Sequence, residues 1–157
     1  MKIIFLDYDG VVNTPIWNEN GECGFNFPDD GKVNNYQAVM WVNELCKKTG
    51  AKIVVSSTWR YTCHDVSYQD CLYNGGLDRE IEIVGCTDWF GNETRTDEIK
   101  SYLSKHPEIE NYVILDDEDV LDSHFVKCNG NYGFGVVEFF KAKNILEDSD
   151  TEWVKKI

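Results

Sequence analysis

Apolar runs of strand length and stripes of helical spacing take turns along this chain. Strand-like runs cover 2–6, 52–55, 80–84 and 111–115, and a weaker fifth covers 124–128. Between the first two, residues 35–48 repeat at helical spacing, with Tyr36, Val39, Met40 and Leu45 on one face and Gly50 as the stop. A second helix is expected over 95–105, with Ile99, Tyr102 and Leu103 on its stripe. Thr94 and Asp97 form a capping-box pattern at its start, and Pro107 follows its end. A third helix, over 137–147, packs Phe139, Phe140, Ile145 and Leu146. Strands alternating with helices of this length predict βαβ units, hence an α/β fold with a mainly parallel sheet covered on both faces.

Two segments break the rhythm. Residues 12–31 mix Gly, Asn, Pro and aromatics, and read as a small hairpin or flap. Trp17, Phe25 and Phe27 are expected to pack within that hairpin, with shielding of a site as the other role open to them. Residues 61–79 read as a short helix with loops. Both lie next to strand ends, where ligands bind in open parallel sheets. Trp89 and Phe90 fit either packing or a site.

Composition narrows the class. A chain of 157 residues with 42% hydrophobic and 13% aromatic content is expected to form one packed domain. Fifteen basic residues against 28 acidic ones leave a net charge of −13, which repels bulk nucleic acid but permits a local grip on one phosphate. No apolar run approaches the roughly 20 residues of a membrane helix, so no membrane partner is expected. The chain opens Met-Lys and passes at once into its first strand, so we expect no secretory leader and a cytoplasmic location. The six cysteines lack CxxC spacing and are expected to be reduced. Cys63, His64, Cys71 and Cys86 match no familiar zinc pattern.

The first strand ends in Asp7-Tyr8-Asp9-Gly10-Val11. Alternation along an extended strand would send Asp7 and Asp9 to one side and Tyr8 to the other. Two carboxylates held together are costly unless a hard cation such as Mg²⁺ takes their oxygens. Open parallel sheets also bring the carboxyl ends of their strands to one crevice. The strand at 52–55 leads into Ser56-Ser57-Thr58-Trp59-Arg60, and that at 111–115 into Asp116-Asp117-Glu118-Asp119. Arg95 opens a helix, where its charge and the helix N–H groups could both face an anion. Carboxylates, a hydroxyl, a cation and an acid pair are what phosphoryl transfer through an aspartyl phosphate needs.

In this order the segments resemble the four motifs of the haloacid dehalogenase (HAD) superfamily of phosphohydrolases. Asp7-Tyr8-Asp9-Gly10-Val11 matches the first motif, and Ser56 the second, with Ser57 an adjacent candidate. Arg95 matches the third, where the family more often carries Lys; Lys100 is the weaker substitute. Asp116 and Asp117 match the fourth, with Asp122 a further carboxylate. The run from Val54 to Arg60, taken with Val113-Ile114-Leu115-Asp116-Asp117, is similar to a small cap-less branch that includes phosphatase-like domains of RNA-repair proteins.

The resemblance implies a three-layer, Rossmann-like fold with a five-stranded sheet, a flap hairpin after the first strand and no large cap domain. It implies Asp7 as nucleophile, Asp9 as general acid and base, and Ser56 and Arg95 as groups holding the transferring oxygens. It implies Mg²⁺ held by the Asp7 and Asp116 carboxylates and the Asp9 backbone carbonyl, with Asp117 holding or bracing that shell. Ser57, Trp59 and Arg60, beside the second motif, are expected to contact substrate; for Trp59 the alternative is packing, and for Arg60 a position in solvent. The expected reaction is Mg²⁺-dependent hydrolysis of a phosphomonoester. Without a cap the crevice would admit a large substrate, such as a nucleic-acid end or a phosphoprotein; a nucleotide or other phosphorylated small molecule is the smaller alternative. A receiver-type phosphoacceptor module uses similar groups, but places its paired acids after the first strand and its acceptor after the third. A non-catalytic binding domain of the same fold is the other alternative, although Asp7 and Asp9 are both present. Substrate identity and oligomeric state stay open.

Overall fold

The computed structural model describes residues 1–25, 30–62, 65–89 and 91–148. Strand β1 (Lys2–Leu6) is followed by a hairpin of β2 (Ile16–Trp17) and β3 (Cys23–Gly24), then by helix α1 (Tyr36–Thr49). Next come β4 (Lys52–Val55), the short helices α2 (Trp59–Thr62) and α3 (Tyr68–Asn74), and β5 (Ile83–Cys86). Helix α4 (Arg95–Lys105), β6 (Asn111–Asp116), β7 (Phe125–Lys127) and α5 (Val136–Glu147) complete the order.

The main sheet has five strands in the order β5-β4-β1-β6-β7, and every pairing in it is parallel. After β1 the chain builds outward through β4 and β5, then returns to add β6 on the other side of β1. That reversal makes the carboxyl ends of β1, β4 and β6 a topological switch point, the place where such sheets open a crevice.

Alternation along β1 divides the core between the two faces. Ile4 and Leu6 join the larger cluster, with Val39, Val42 and Leu45 of α1 and Phe139, Ala142 and Leu146 of α5. Ile3 and Phe5 join the smaller one, with Ile99 of α4. The result is the three-layer α/β arrangement expected of the sequence.

The helix ends follow local chemistry. Asn35 accepts the Ala38 N–H at the start of α1, and Gly50 ends that helix at φ +74, donating its N–H to Cys46. Thr94 and Asp97 form the expected capping box. One strand departs from expectation: β5 begins at Ile83, where the pattern predicts a strand over 80–84. Ile81 closes a turn by donating its N–H to the Asp78 carbonyl, so the apolar side chain that mimics strand alternation is buried from a turn. A bulge then shifts the β4–β5 register between Ile53 and Val54.

The flap hairpin forms, but its apolar side chains do not pack as expected. Trp17 is 73% exposed, and Ile16 and Phe25 are exposed too. Phe27, Phe90, Cys63 and His64 lie outside the described residues. Among the described residues no helix is long and apolar enough to cross a membrane.

Candidate active site

Asp7 extends the β1–β6 ladder by one step, donating its N–H to the Leu115 carbonyl. The chain then turns sharply, and the Tyr8 carbonyl accepts the N–H groups of Val11, Val12 and Asn13. Gly10 sits in this turn at φ +82, a conformation that disfavours a side chain. It is also crowded: a Cβ there would lie 2.3 Å from Asp117 Cγ. Gly130, in the loop after β7, borders the same carboxylate from another side. Asp117 is therefore seated against two backbone segments that have no side chains to displace it.

Asp7, Asp116 and Asp117 each offer a carboxylate oxygen, and these atoms lie within 4.8 Å of one another. Arg95 faces two of the three, with Nη1 3.7 Å from Asp7 Oδ1 and Nε 3.7 Å from Asp116 Oδ2. Burial and the neighbouring Asp116 raise the Asp7 carboxyl well above the usual range, against the pull of Arg95. Burial chiefly pushes Asp116 up to about 6, with Arg95 opposing. Ser56 Oγ, Arg95 Nη1 and Asp116 Oδ2 are buried and make no hydrogen bond. Such groups are normally satisfied, so a site with a hydroxyl, a guanidinium nitrogen and a carboxylate oxygen left without hydrogen bonds fits a bound anion beside a bound cation. The all-oxygen donor set fits Mg²⁺. Thr87 Oγ1, the fourth unpartnered atom among the described residues, lies one strand further out, after β5.

Asp9 does not join this group through its carboxylate. Because β1 ends at Leu6 and the chain turns at Tyr8, strand alternation stops before Asp9. Its Oδ1 instead accepts a hydrogen bond of 2.9 Å from Asn13 Nδ2. Asn13 is fully buried, and its own Oδ1 accepts the Asn34 N–H. The Asp9 carboxylate is thus outside the three-acid cluster, whereas the expected pairing with Asp7 would have put it beside Asp116 and Asp117.

Three expected substrate contacts are corrected as well. The Ser57 hydroxyl is buried and accepts the Trp59 N–H within its own turn. Trp59 is 4% exposed and meets Tyr8 edge-on at 5.4 Å, leaving no open face for stacking. The Arg60 guanidinium is 1% exposed and folds back into the protein. Its Nη1 donates to the Ser56 and Ser57 carbonyls, Nε to the Thr87 carbonyl, and Nη2 to Glu98 Oε2.

Lys100 is exposed on α4, whereas Arg95 reaches the acid cluster. Asp122 accepts from Tyr112 Oη and the His124 N–H, outside the three-acid group. Sequence reasoning missed Asn13 and Glu98. Both left a signal: Asn13 sits four residues after Asp9, and Glu98 lies one helical turn beyond Arg95 beside the apolar Ile99.

No curated protein matches the chain. Among solved structures, a hypothetical protein from Xanthomonas campestris is similar at 10% identity and TM-score 0.47, over 99% of this chain and 87% of the other. A chain described as a HAD superfamily (subfamily III A) hydrolase from Legionella pneumophila is similar at 13% identity and TM-score 0.41, over 98% and 89%. A model of the HAD domain in Swiss Army Knife RNA repair proteins matches residues 3–138, a span that takes in Asp7, Ser56, Arg95, Asp116 and Asp117, and the chain belongs to that family.

Proposed function

We propose that this domain is a Mg²⁺-dependent phosphohydrolase that cleaves phosphomonoesters through a phosphoryl group carried on Asp7. The observation that carries the reading is the gathering of three carboxylate oxygens within 4.8 Å of one another beside Arg95, with buried Ser56 and Arg95 atoms that make no hydrogen bond.

The Asp7, Asp116 and Asp117 carboxylates would hold the metal, with the Asp9 backbone carbonyl as a further oxygen donor. Bound Mg²⁺ would neutralise both the crowded carboxylates and the phosphoryl charge. Asp7 forms the new bond to phosphorus while the bond to the leaving oxygen breaks. Asp9, aimed by Asn13, gives its proton to that oxygen. In the second half, Asp9 takes a proton from water, whose oxygen attacks phosphorus and frees the Asp7 carboxylate. Ser56 and Arg95 hold the remaining phosphoryl oxygens as their charge grows.

The family's association with RNA repair supports a terminal phosphate on RNA as the substrate. Tyr61 of α2 and Trp89 after β5 are exposed, with rings 6.1 Å apart; Arg60 covers one face of Tyr61, and the remaining aromatic surface is where a base would stack. The acidic chain as a whole favours a short footprint on the polymer.

The test is release of phosphate from p-nitrophenyl phosphate, with Mg²⁺ and with EDTA, beside the Asp7→Asn variant. Mg²⁺-dependent release that disappears in the variant is the expected result. Release that survives Asp7→Asn overturns the mechanism. No release, together with no Mg²⁺-dependent binding of inorganic phosphate, returns the domain to a non-catalytic role.

A further inference from the structure

Arg60 stands beside the proposed phosphate site yet gives its charge to the protein. Four of the five N–H donors that a guanidinium carries are engaged by protein oxygens. Two of those oxygens are the carbonyls of Ser56 and Ser57, one is the carbonyl of Thr87 after β5, and one belongs to Glu98 of α4. Three segments that reach the crevice separately are thus joined at one side chain.

The consequences for the site follow from where those acceptors sit. The Ser56 N–H is already held by the Leu6 carbonyl of β1. With its own carbonyl held by Arg60, both backbone polar groups of Ser56 are fixed, and with them the Cα–Cβ bond from which its hydroxyl projects. On α4, Glu98 lies three residues after Arg95, so the two share one helix face. Docking Glu98 on Arg60 sets the rotation of α4 at its first turn, and with it the approach of Arg95 to Asp7 and Asp116.

We propose that the buried Arg60–Glu98 pair is a positioning device that aligns the Ser56 hydroxyl with the Arg95 guanidinium, so that the two grip phosphate as one unit. The inference rests on the phosphohydrolase reading and adds two residues that do not touch substrate. Arg suits the task because a planar fork can serve several oxygens at fixed angles, which a lysine ammonium cannot.

The experiment measures Mg²⁺-dependent binding of inorganic phosphate by calorimetry in the full chain, with Mg²⁺ binding alone measured in parallel. Arg60→Lys, Arg60→Met and Glu98→Gln are each compared with the unaltered protein. Glu98→Gln keeps the side-chain volume but removes the charge that holds the Arg60 guanidinium, so it serves even where the Arg60 variants fold poorly. Phosphate affinity is expected to fall by about tenfold or more in each variant, while Mg²⁺ affinity stays within about twofold, because the three carboxylates are untouched.

A double-mutant cycle separates positioning from general loosening. Ser56→Ala is expected to weaken phosphate binding in the unaltered protein but to add little in the Glu98→Gln background. Equal effects of Ser56→Ala in both backgrounds, or phosphate affinity unchanged in Glu98→Gln, overturn the inference alone. Absence of phosphate binding in the unaltered protein overturns the phosphohydrolase reading and this inference with it.

Discussion

Asn13 Nδ2 donates to Asp9 Oδ1 over 2.9 Å, and Asn13 is fully buried. A carboxylate at the end of a turn would otherwise be free to rotate. Here it is aimed by an amide whose other end is held by the Asn34 backbone. Asp9→Asn is expected to slow phosphoester cleavage by about 10²–10⁴, the usual contribution of a general acid or base. Asn13→Ala leaves the acid but frees its aim, and is expected to lower turnover by about 10–100-fold. Rapid-quench measurement should find phosphate persisting on Asp7 in Asp9→Asn. Turnover in Asn13→Ala equal to that of the unaltered protein would show that Asp9 needs no aiming.

Gly10→Ala is expected to damage both stability and the acid cluster. The positive φ of Gly10 costs an L residue about 1–2 kcal/mol on its own, and the new methyl would meet Asp117 Cγ at 2.3 Å. Relief requires Asp117 to move. Thermal melts should therefore show a lower midpoint, and calorimetry a weaker Mg²⁺ affinity. A loss of stability with Mg²⁺ affinity intact would mean that Asp117 contributes nothing to the cation site.

Much of this arrangement is legible in the sequence, because two periodicities carry it. Apolar runs ending in Asp7, Ser56 and Asp116 place those residues at adjoining strand ends once the sheet is parallel, and the fold has them there. The capping box at Thr94 fixes the start of α4, and so the position of Arg95, to the residue. What sequence could not supply is side-chain direction where regular structure stops. Asp9 lies past the end of β1, where alternation no longer applies. Trp59 and Arg60 belong to a one-turn helix whose short span gives no stripe to read. The shift of β5 has a similar origin, since Ile81 and Ile83 alternate as a strand does while only Ile83 is in one. The family match supports the same reading of fold and motif order, and it does not reach these side-chain directions.

Trp59→Ala is expected to act on folding. The indole is buried against Tyr8, whose hydroxyl in turn donates to the Tyr68 carbonyl at 2.6 Å. Removing it empties a large volume under the loop that carries Ser56, at a cost of about 3–5 kcal/mol. Urea unfolding should show the loss, and Trp59→Phe should recover part of it. Unchanged stability with weakened substrate binding would return Trp59 to the substrate contacts.

The pH dependence of stability distinguishes the metal-free site from the loaded one. Asp116 is held at about 6 against an ordinary 3.8, and Asp7 is raised as well. Between those values the folded protein binds more protons than the unfolded chain, so each unit of rising pH costs stability. Asp97, Glu108 and Glu110, whose carboxyls are held low, act in the opposite sense and only in more acid solution. In EDTA the thermal midpoint is therefore expected to fall from about pH 4.5 to about pH 7. Mg²⁺ needs the carboxylates ionised, so its stabilising increment should grow over the same range. Asp116→Asn removes the titrating group and a ligand together, and should flatten the fall in EDTA while abolishing most of the response to Mg²⁺. A midpoint in EDTA that climbs steadily through this range would mean that the buried acids do not resist ionisation, and that no cation is needed to relieve them.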